Sequence, residues 1–438
     1  MEKNNFNEWN ELFKDCWKVR MVENEHLIPI CFLQMLSSIN RVRYIYGGQY
    51  KNVNLSSFKV QASGTGKGVA DKLVGDLLRY MGYKICKLQS FTEAAIIGSL
   101  NVDLAGKSHV VKGALGEYDF IWIDEARNLI VGNSWTTGLL EVINGYLDDG
   151  EIFKRLAKGE IKYMSSCNFG TGTFFFNKLK PTVMTTGIFQ RCLFSYKIYS
   201  KEDVLRISRK YDELANKNYM GDLQPIFAEL KKKKEELSFE KYNISKNPKY
   251  PNYVIKMDLE ASKNFGEQID KFFEEEIFDK IGDGRLKDIL TSFLIRYKEL
   301  GHKIMCLYAV WNGKDSIDNE CGEVAVPIVK EQLGYVLEFM SDVFEGTKFD
   351  TEDLENENQK KKKISVTEGT IIKVIKQNPG ITKTEFKDYY QKHRRQFKLG
   401  EQSVLWKLIP KMEDEGKIQT KVGEHNEHRM YIEEDDKR

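Results

Sequence analysis

No apolar run approaches the ~18 residues that a bilayer-crossing helix needs, and the Met1-Glu2-Lys3 start carries no signal-peptide pattern. The expected location is therefore intracellular and cytoplasmic, with no membrane partner. An excess of one charge is missing too: 67 Lys and Arg stand against 65 Asp and Glu, so any nucleic-acid surface has to be local. The seven cysteines (Cys16, Cys31, Cys86, Cys167, Cys192, Cys306 and Cys321) never take C-x-x-C spacing. That excludes a disulfide frame or zinc ribbon and leaves reduced, mostly buried thiols. What is present is a chain of 438 residues with 41% hydrophobic content, enough for two or three domains with cores.

The most informative stretch runs from Phe58 to Leu78. A short apolar run is followed by Ala62-Ser-Gly-Thr-Gly-Lys-Gly68, then by Val69, Leu73, Leu77 and Leu78 at helical spacing. This reads as strand, tight loop, helix. Gly64 and Gly66 let backbone N–H groups turn toward an anion, the helix N-terminus adds its positive dipole end, and Lys67 supplies a point charge. Ser63, Gly64, Thr65, Gly66, Lys67, Gly68 and Val69 are the expected nucleotide contacts. The loop departs from G-x-x-x-x-G-K-[ST], with Gln61 in place of the first glycine and Gly68 in place of the metal-binding hydroxyl. An ordinary glycine turn is the competing reading.

Tyr118-Asp-Phe-Ile-Trp-Ile-Asp-Glu125 reads as a buried strand ending in two acids. At a strand end facing the loop, Asp124 can hold a metal through water and Glu125 can polarise an attacking water. A solvated acidic turn is the alternative. Ile161 to Asn168 reads as a further strand with a polar amide at its end, or as a turn before Gly170. Arg191, entering a final core strand, is either a structural cation or a finger reaching a neighbour's phosphate. Arg296 and Lys303 are the polar exceptions in a helix otherwise marked by Phe293, Leu294, Tyr297, Leu300, Ile304 and Leu307.

Along the chain these patterns divide into a helical lead-in (1–50), an α/β core (51–200), a charged helical insertion (201–256), a helical lid (257–344), a linker (345–364) and a C-terminal module (365–438). Ser90 to Glu93 fits a capping box opening a helix over Ala94 to Leu100. The C-terminal module has three helical patterns and a hairpin, which is a winged-helix arrangement. Its third helix offers Gln402, Ser403, Lys407 and Lys411 to a groove, and the wing offers Arg429. Between Ser365 and Ile432, 13 Lys and Arg face 9 Asp and Glu, only a mild excess. Protein docking by this module competes with DNA binding.

In order, these features resemble an AAA+ ATPase, and within that group the MCM helicases and related phage and plasmid replicative helicases. Lys112-Gly-Ala-Leu115 looks like the segment ahead of the MCM Walker B strand, Leu139-Leu-Glu-Val-Ile-Asn144 like the helix after it, and Phe189-Gln-Arg-Cys-Leu-Phe194 like the arginine-finger strand. The resemblance spans roughly residues 20 to 434. It implies an AAA+ P-loop core with a helical lid and a C-terminal winged helix, and ATP with Mg²⁺ as cofactors. Asn168 would be the sensor-1 asparagine, Arg191 the finger acting in trans and Arg296 a sensor-2 arginine. The implied assembly is a homo-oligomer, a hexamer, with single-stranded DNA in its pore and duplex on the winged helix, encoded by a virus or plasmid. Two departures stand out. No OB-fold collar with zinc ligands precedes the core, and less chain than an MCM presensor hairpin separates Lys158 from Asn168. Phe153 to Gly159 can still form a short basic loop, so Lys154, Arg155 and Lys158 are the expected pore contacts to phosphates. An ATP-switched initiator or regulator is the main alternative, and a small-molecule kinase, suggested by Lys67-Gly68, the third.

Overall fold

The computed structural model describes residues 5–20, 24–39, 42–89, 91–102, 108–124, 126, 139–156, 159–173, 187–215, 217, 219–237, 253–279, 281, 284–344, 368–392, 402–422 and 428–432. The chain divides into two units, Met1–Glu345 and Gly346–Arg438. Among the described residues no helix is long and apolar enough to cross a membrane.

The first unit begins with α1 (Asn5–Arg20) and α2 (Ile28–Ile39). α1 buries Phe6, Trp9, Phe13, Cys16 and Trp17 on one stripe, whereas α2 is buried all round from Ile30 onward, as a helix with no polar face must be. β1 (Val42–Tyr46) and β2 (Gln49–Asn52) form a hairpin through Gly47 and Gly48, both at positive φ, the two-residue turn that matches strand twist. Then come β3 (Ser57–Gln61), α3 (Lys67–Tyr80), β4 (Ile85–Leu88), α4 (Glu93–Ile97), a hairpin of β5 (Gly98–Val102) and β6 (Ser108–Lys112), α5 (Ala114–Glu117) and β7 (Phe120–Ile123). They are followed by α6 (Leu139–Asp149), a second hairpin of β8 (Glu151–Leu156) and β9 (Gly159–Met164), β10 (Asn168–Thr173), α7 (Ile188–Arg191) and β11 (Leu193–Lys197). The unit closes with α8 (Lys201–Ala215), α9 (Tyr219–Glu236), β12 (Tyr253–Met257), α10 (Leu259–Phe272) with a π-helical turn over Phe273–Phe278, α11 (Gly284–Trp311), β13 (Ser316–Ile317) and α12 (Asn319–Phe344).

Five strands make the central sheet in the order β11-β3-β10-β7-β4, and every adjacent pair is parallel. A parallel sheet covered by helices needs strands buried on both faces. β3 and β10 are buried along their whole length, with α2 and α3 packed against them. All five C-terminal strand ends therefore share one edge, and that edge carries the glycine loop. The architecture is mixed α/β.

A second sheet, β13-β12-β1-β2, runs β12 parallel to both β1 and β13. The segments expected as lead-in, charged insertion and lid thus share one sheet instead of standing as separate bodies. Long-range strand pairing joins Val42 to Tyr253 and Lys256 to Ser316, and no local periodicity announces that. The helix expected over Ala94 to Leu100 stops at Ile97. Thr92, not Ser90, caps it, accepting from the Ala95 amide. Gly98 sits at φ +101 close against the Val111 carbonyl, where no side chain fits, and turns the chain into β5. Ser90 itself lies outside the described residues.

The second unit has α13 (Glu368–Gln377), β14 (Ile381–Thr382), α14 (Lys383–Lys392), α15 (Gln402–Asp414), β15 (Ile418–Val422) and β16 (His428–Ile432). Its sheet is antiparallel in the order β14-β16-β15. Ile371, Val374, Ile375, Ile381, Phe386, Ile409, Met412, Ile418 and Met430 give it a core of its own.

Candidate functional site

The loop between β3 and α3 is shaped by its glycines. Gly64 (φ +79) and Gly66 (φ +101) take left-handed conformations, and Gly66 stands as the N-cap of α3, leaving Lys67 as the first helical residue. Ser63 and Gly64 are exposed at the tip, and nothing lies within 4 Å of the β-carbon position of Gly64. Thr65 is buried and braces the loop: its Oγ1 donates to the Ala62 carbonyl (2.6 Å) and accepts from Gln61 Nε2 (2.9 Å). Its carbonyl accepts from Asn24 Nδ2 (2.6 Å), and Asn24 Oδ1 accepts from the Tyr199 hydroxyl. The Thr65 side chain and carbonyl thus brace the loop. The Val69 amide donates to the Gly66 carbonyl (3.0 Å).

Lys67 lies over β10, where a β-carbon at Gly172 would press on its Cδ at 3.0 Å, and its Nζ stands 3.5 Å from the Gln61 carbonyl. One helical turn on, Asp71 is buried against Lys59 of β3. At the same sheet edge β7 ends in Asp124. The β-carbon position of Gly68 lies 3.7 Å from Asp124 Oδ1 and 3.3 Å from Trp122 Cζ2, so the glycine loop and the acid-bearing strand end do meet. Lys87 of β4, opposite Trp122 in register, places its Nζ 3.0 Å from Asp124 Oδ2 and 4.3 Å from the centre of the Trp122 ring. Glu125 lies outside the described residues.

Among the described residues no group of three or more His, Cys, Asp and Glu could hold a metal. A Mg²⁺ ion carried by nucleotide phosphates asks for only one or two protein carboxylates, and Asp124 at the loop's mouth fits that need. With no hydroxyl at Gly68, Asp124 is the described residue that would hold such an ion.

The expected sensor asparagine is elsewhere. Asn168 opens β10 instead of ending a strand, pairs in register with Phe120 at the start of β7, and is fully buried. Its Nδ2 donates to Ser37 (2.9 Å) and Ser38 (3.0 Å) of α2. Four residues at ~3.3 Å each separate it from Gly172, so it is about 13 Å from the edge that carries the glycine loop. Asn168 fastens α2 to the sheet. The residue that does end β10 beside the loop is Thr173, level with Val60.

Arg191 and Arg296 also belong to the N-terminal edge. Arg191 donates through Nε (2.6 Å) and Nη2 (2.9 Å) to the two oxygens of Asp148 at the end of α6. Arg296 Nη1 reaches the same carboxylate at 3.0 Å and Glu299 at 2.8 Å. Buried Lys303 donates to the carbonyls of Leu147 (2.9 Å) and Asn54 (3.1 Å), and burial pushes its ammonium down from 10.5 to about 8. Together with Lys51 these groups line a cavity of about 250 Å³. Arg296 is therefore engaged away from its own chain's glycine loop, which follows the far end of β3.

The basic loop expected at Phe153 to Gly159 is the tip of the β8–β9 hairpin, which leans on β5 and β6. Lys154 pairs with Glu93 and is mostly covered, while Arg155 is exposed. Lys158 lies outside the described residues. In the second unit Arg429 is exposed on β16, and Lys411 is exposed with Glu415 3.4 Å away. Gln402, Ser403 and Lys407 fall on α15, but their side chains lie outside the described residues.

Lys87, Trp122, Asp148 and the Lys59–Asp71 pair escaped the motif reading. The sequence signs of Asp71 and Lys59 are a carboxylate on the inner face of α3 and a lysine between the apolar Phe58 and Val60. Comparison with known proteins adds no identity, since no family model matches the chain and no curated protein matches it beyond chance.

Proposed function

We propose that this chain is an ATP-driven DNA translocase or helicase of the AAA+, MCM-like type, working as a ring of copies in replication of a mobile element. The observation that carries the reading is the meeting of Gly68, at the start of α3, with Asp124 at the end of β7. In this reading Gly64, Gly66 and Lys67 hold the triphosphate, and Glu125 draws the proton from the attacking water. Asp124 would be the carboxylate that holds Mg²⁺, and the ion would supply neutralisation of charge developing on the phosphates.

Arg191 and Arg296, both tied to Asp148, lie toward the start of β3, and the strand spans about 13 Å before the loop of their own chain begins. Any nucleotide phosphate they meet belongs to a neighbouring copy. That supports Arg191 as an in-trans finger and moves Arg296 to the same role. Arg155 on the β8–β9 hairpin contacts DNA phosphates without regard to sequence, and the C-terminal unit, read as a winged helix, adds duplex contacts through Lys411 and Arg429.

The test is ATP hydrolysis with and without single-stranded DNA. Wild-type protein should be stimulated by DNA, and Lys67→Ala and Glu125→Gln should be inactive. Unchanged turnover in Glu125→Gln refutes the chemistry. A second reading, an ATP-switched initiator in which nucleotide only controls assembly, gains support from the Lys87–Asp124 ion pair and from Gly68, because both weaken the case for fast hydrolysis.

A further inference from the structure

No step of the proposed hydrolysis uses Lys87. It sits on β4 level with Trp122, two residues before Asp124, and its ammonium is held between the Trp122 ring and the Asp124 carboxylate. Both partners also touch Gly68, where a β-carbon would come within 3.3 Å of the indole and 3.7 Å of the carboxylate. The ammonium thus stands beside the N-terminal turn of α3, where the helix dipole already favours an anion. A serine or threonine at position 68 would crowd the indole on which Lys87 rests. The lost hydroxyl and the added lysine are two aspects of one arrangement.

The energetics favour a change of partner. Lys87 and Asp124 are 41% and 38% exposed, and an ion pair so open to water is held only weakly. A triphosphate seated on the loop offers several anionic oxygens, and a charge-assisted hydrogen bond to one of them outweighs the exposed carboxylate.

We infer that Lys87 is a second phosphate-binding cation of this site. It waits on Asp124 while the loop is empty and swings to the triphosphate when nucleotide arrives, so the site takes up nucleoside triphosphate without a divalent cation. Uptake also frees Asp124 to meet a metal that arrives afterwards. This rests on the nucleotide-site reading of the loop and goes beyond it in naming the residue and the order of events.

Calorimetric titration of the full-length protein with ATP, once in EDTA and once in excess Mg²⁺, tests it. Wild-type protein should bind in both conditions. Lys87→Ala should weaken binding in EDTA about tenfold or more, the equivalent of one charge-assisted hydrogen bond, with a clearly smaller change in Mg²⁺. Lys87→Arg should preserve binding in EDTA, and Asp124→Asn, which releases the lysine and removes a negative charge, should tighten it. Wild-type binding only with Mg²⁺, or equal binding of wild type and Lys87→Ala in EDTA, overturns the role of Lys87 and leaves the nucleotide site standing. Absence of binding in both conditions overturns the site reading and the inference together.

Discussion

Lys59 Nζ lies 2.6 Å from Asp71 Oδ1 with both side chains out of water, directly beneath the glycine loop. The pair joins the middle of β3 to the first turns of α3, and Lys59 also donates to Ser57, whose hydroxyl meets Gln34 of α2. Strand, loop helix and covering helix are thereby held by one polar network within an apolar layer. Gly170 and Gly172 make room for it, since a β-carbon at Gly170 would run into the Asp71 carboxylate.

Breaking this pair from one side should be costly. Burial, only partly offset by the Lys59 ammonium, already pushes the Asp71 carboxyl up. Asp71→Ala leaves a buried ammonium without its counter-charge, and losses of about 3–5 kcal/mol are usual for such a change. The double variant Lys59→Met, Asp71→Leu should recover much of that loss. Denaturant midpoints of the wild type and the two variants check it. Equal destabilisation by single and double variants would show that packing, not charge, is what the network supplies.

Acid sensitivity should appear well above the carboxylate range. His302 is buried between Tyr46 and Phe265 with Ser262 Oγ 3.0 Å from its Nε2, and burial, helped by the Lys298 ammonium, lowers it from 6.5 to about 4. A folded-state value below the unfolded one means that the unfolded chain binds the proton first. The contribution is therefore complete above pH 6.5 and is lost as pH falls from 6.5 toward 4, reaching roughly 3 kcal/mol. His26, also lowered to about 4 by burial, acts in the same sense. The denaturation midpoint should drop between pH 7 and 5, and His302→Gln should flatten part of that slope. A slope unchanged in this variant would remove His302 from the account.

How far the sequence reveals this site depends on how local each signal is. Lys67, Gly64, Gly66 and Asp124 were legible because strand, glycine turn and helix follow one another within a few residues, and because Phe120 to Ile123 is a continuous apolar run. Asn168 misled for a physical reason. Ile161 to Asn168 reads as a core strand, but its strand-forming part belongs to β9 (Gly159–Met164), where only Ile161 is buried and the segment pairs with β8. The true core strand, Asn168-Phe-Gly-Thr-Gly-Thr173, carries two glycines and two threonines, so it shows little hydrophobic signal although it is buried throughout. The convergence of Arg191 and Arg296 on Asp148 crosses 43 and 148 residues of chain, and no periodicity encodes such a meeting.

That convergence gives a test of shared sites. With Arg191 held at the sheet edge away from Lys67, a Lys67→Ala copy keeps its arginine and an Arg191→Ala copy keeps its loop. Each variant alone should hydrolyse little ATP. An equal mixture should recover up to about a quarter of wild-type turnover, the share of interfaces that pair an intact loop with an intact arginine at random. Nucleotide binding by Arg191→Ala should persist. Full hydrolysis by Arg191→Ala alone would make this residue a structural counter-ion of Asp148 and nothing more.

Separating the two units distinguishes a motor from a recogniser. The second unit has its own core, in which Phe386 is 2% exposed and packed with Ile371, Ile375 and Met430. Phe386→Ala should cost that unit about 3–5 kcal/mol, enough to unfold a small domain, while the thermal transition of the first unit stays in place. The same change then serves as a point-mutant equivalent of deleting Gly346–Arg438. If the first unit is the motor, both variants should keep ATP hydrolysis that responds to single-stranded DNA, with weaker binding to duplex. If the chain is an initiator whose nucleotide only governs assembly, both should lose DNA binding altogether, and the residual hydrolysis should be indifferent to DNA. Hydrolysis that persists at wild-type level but no longer responds to DNA would assign the coupling itself to the C-terminal unit.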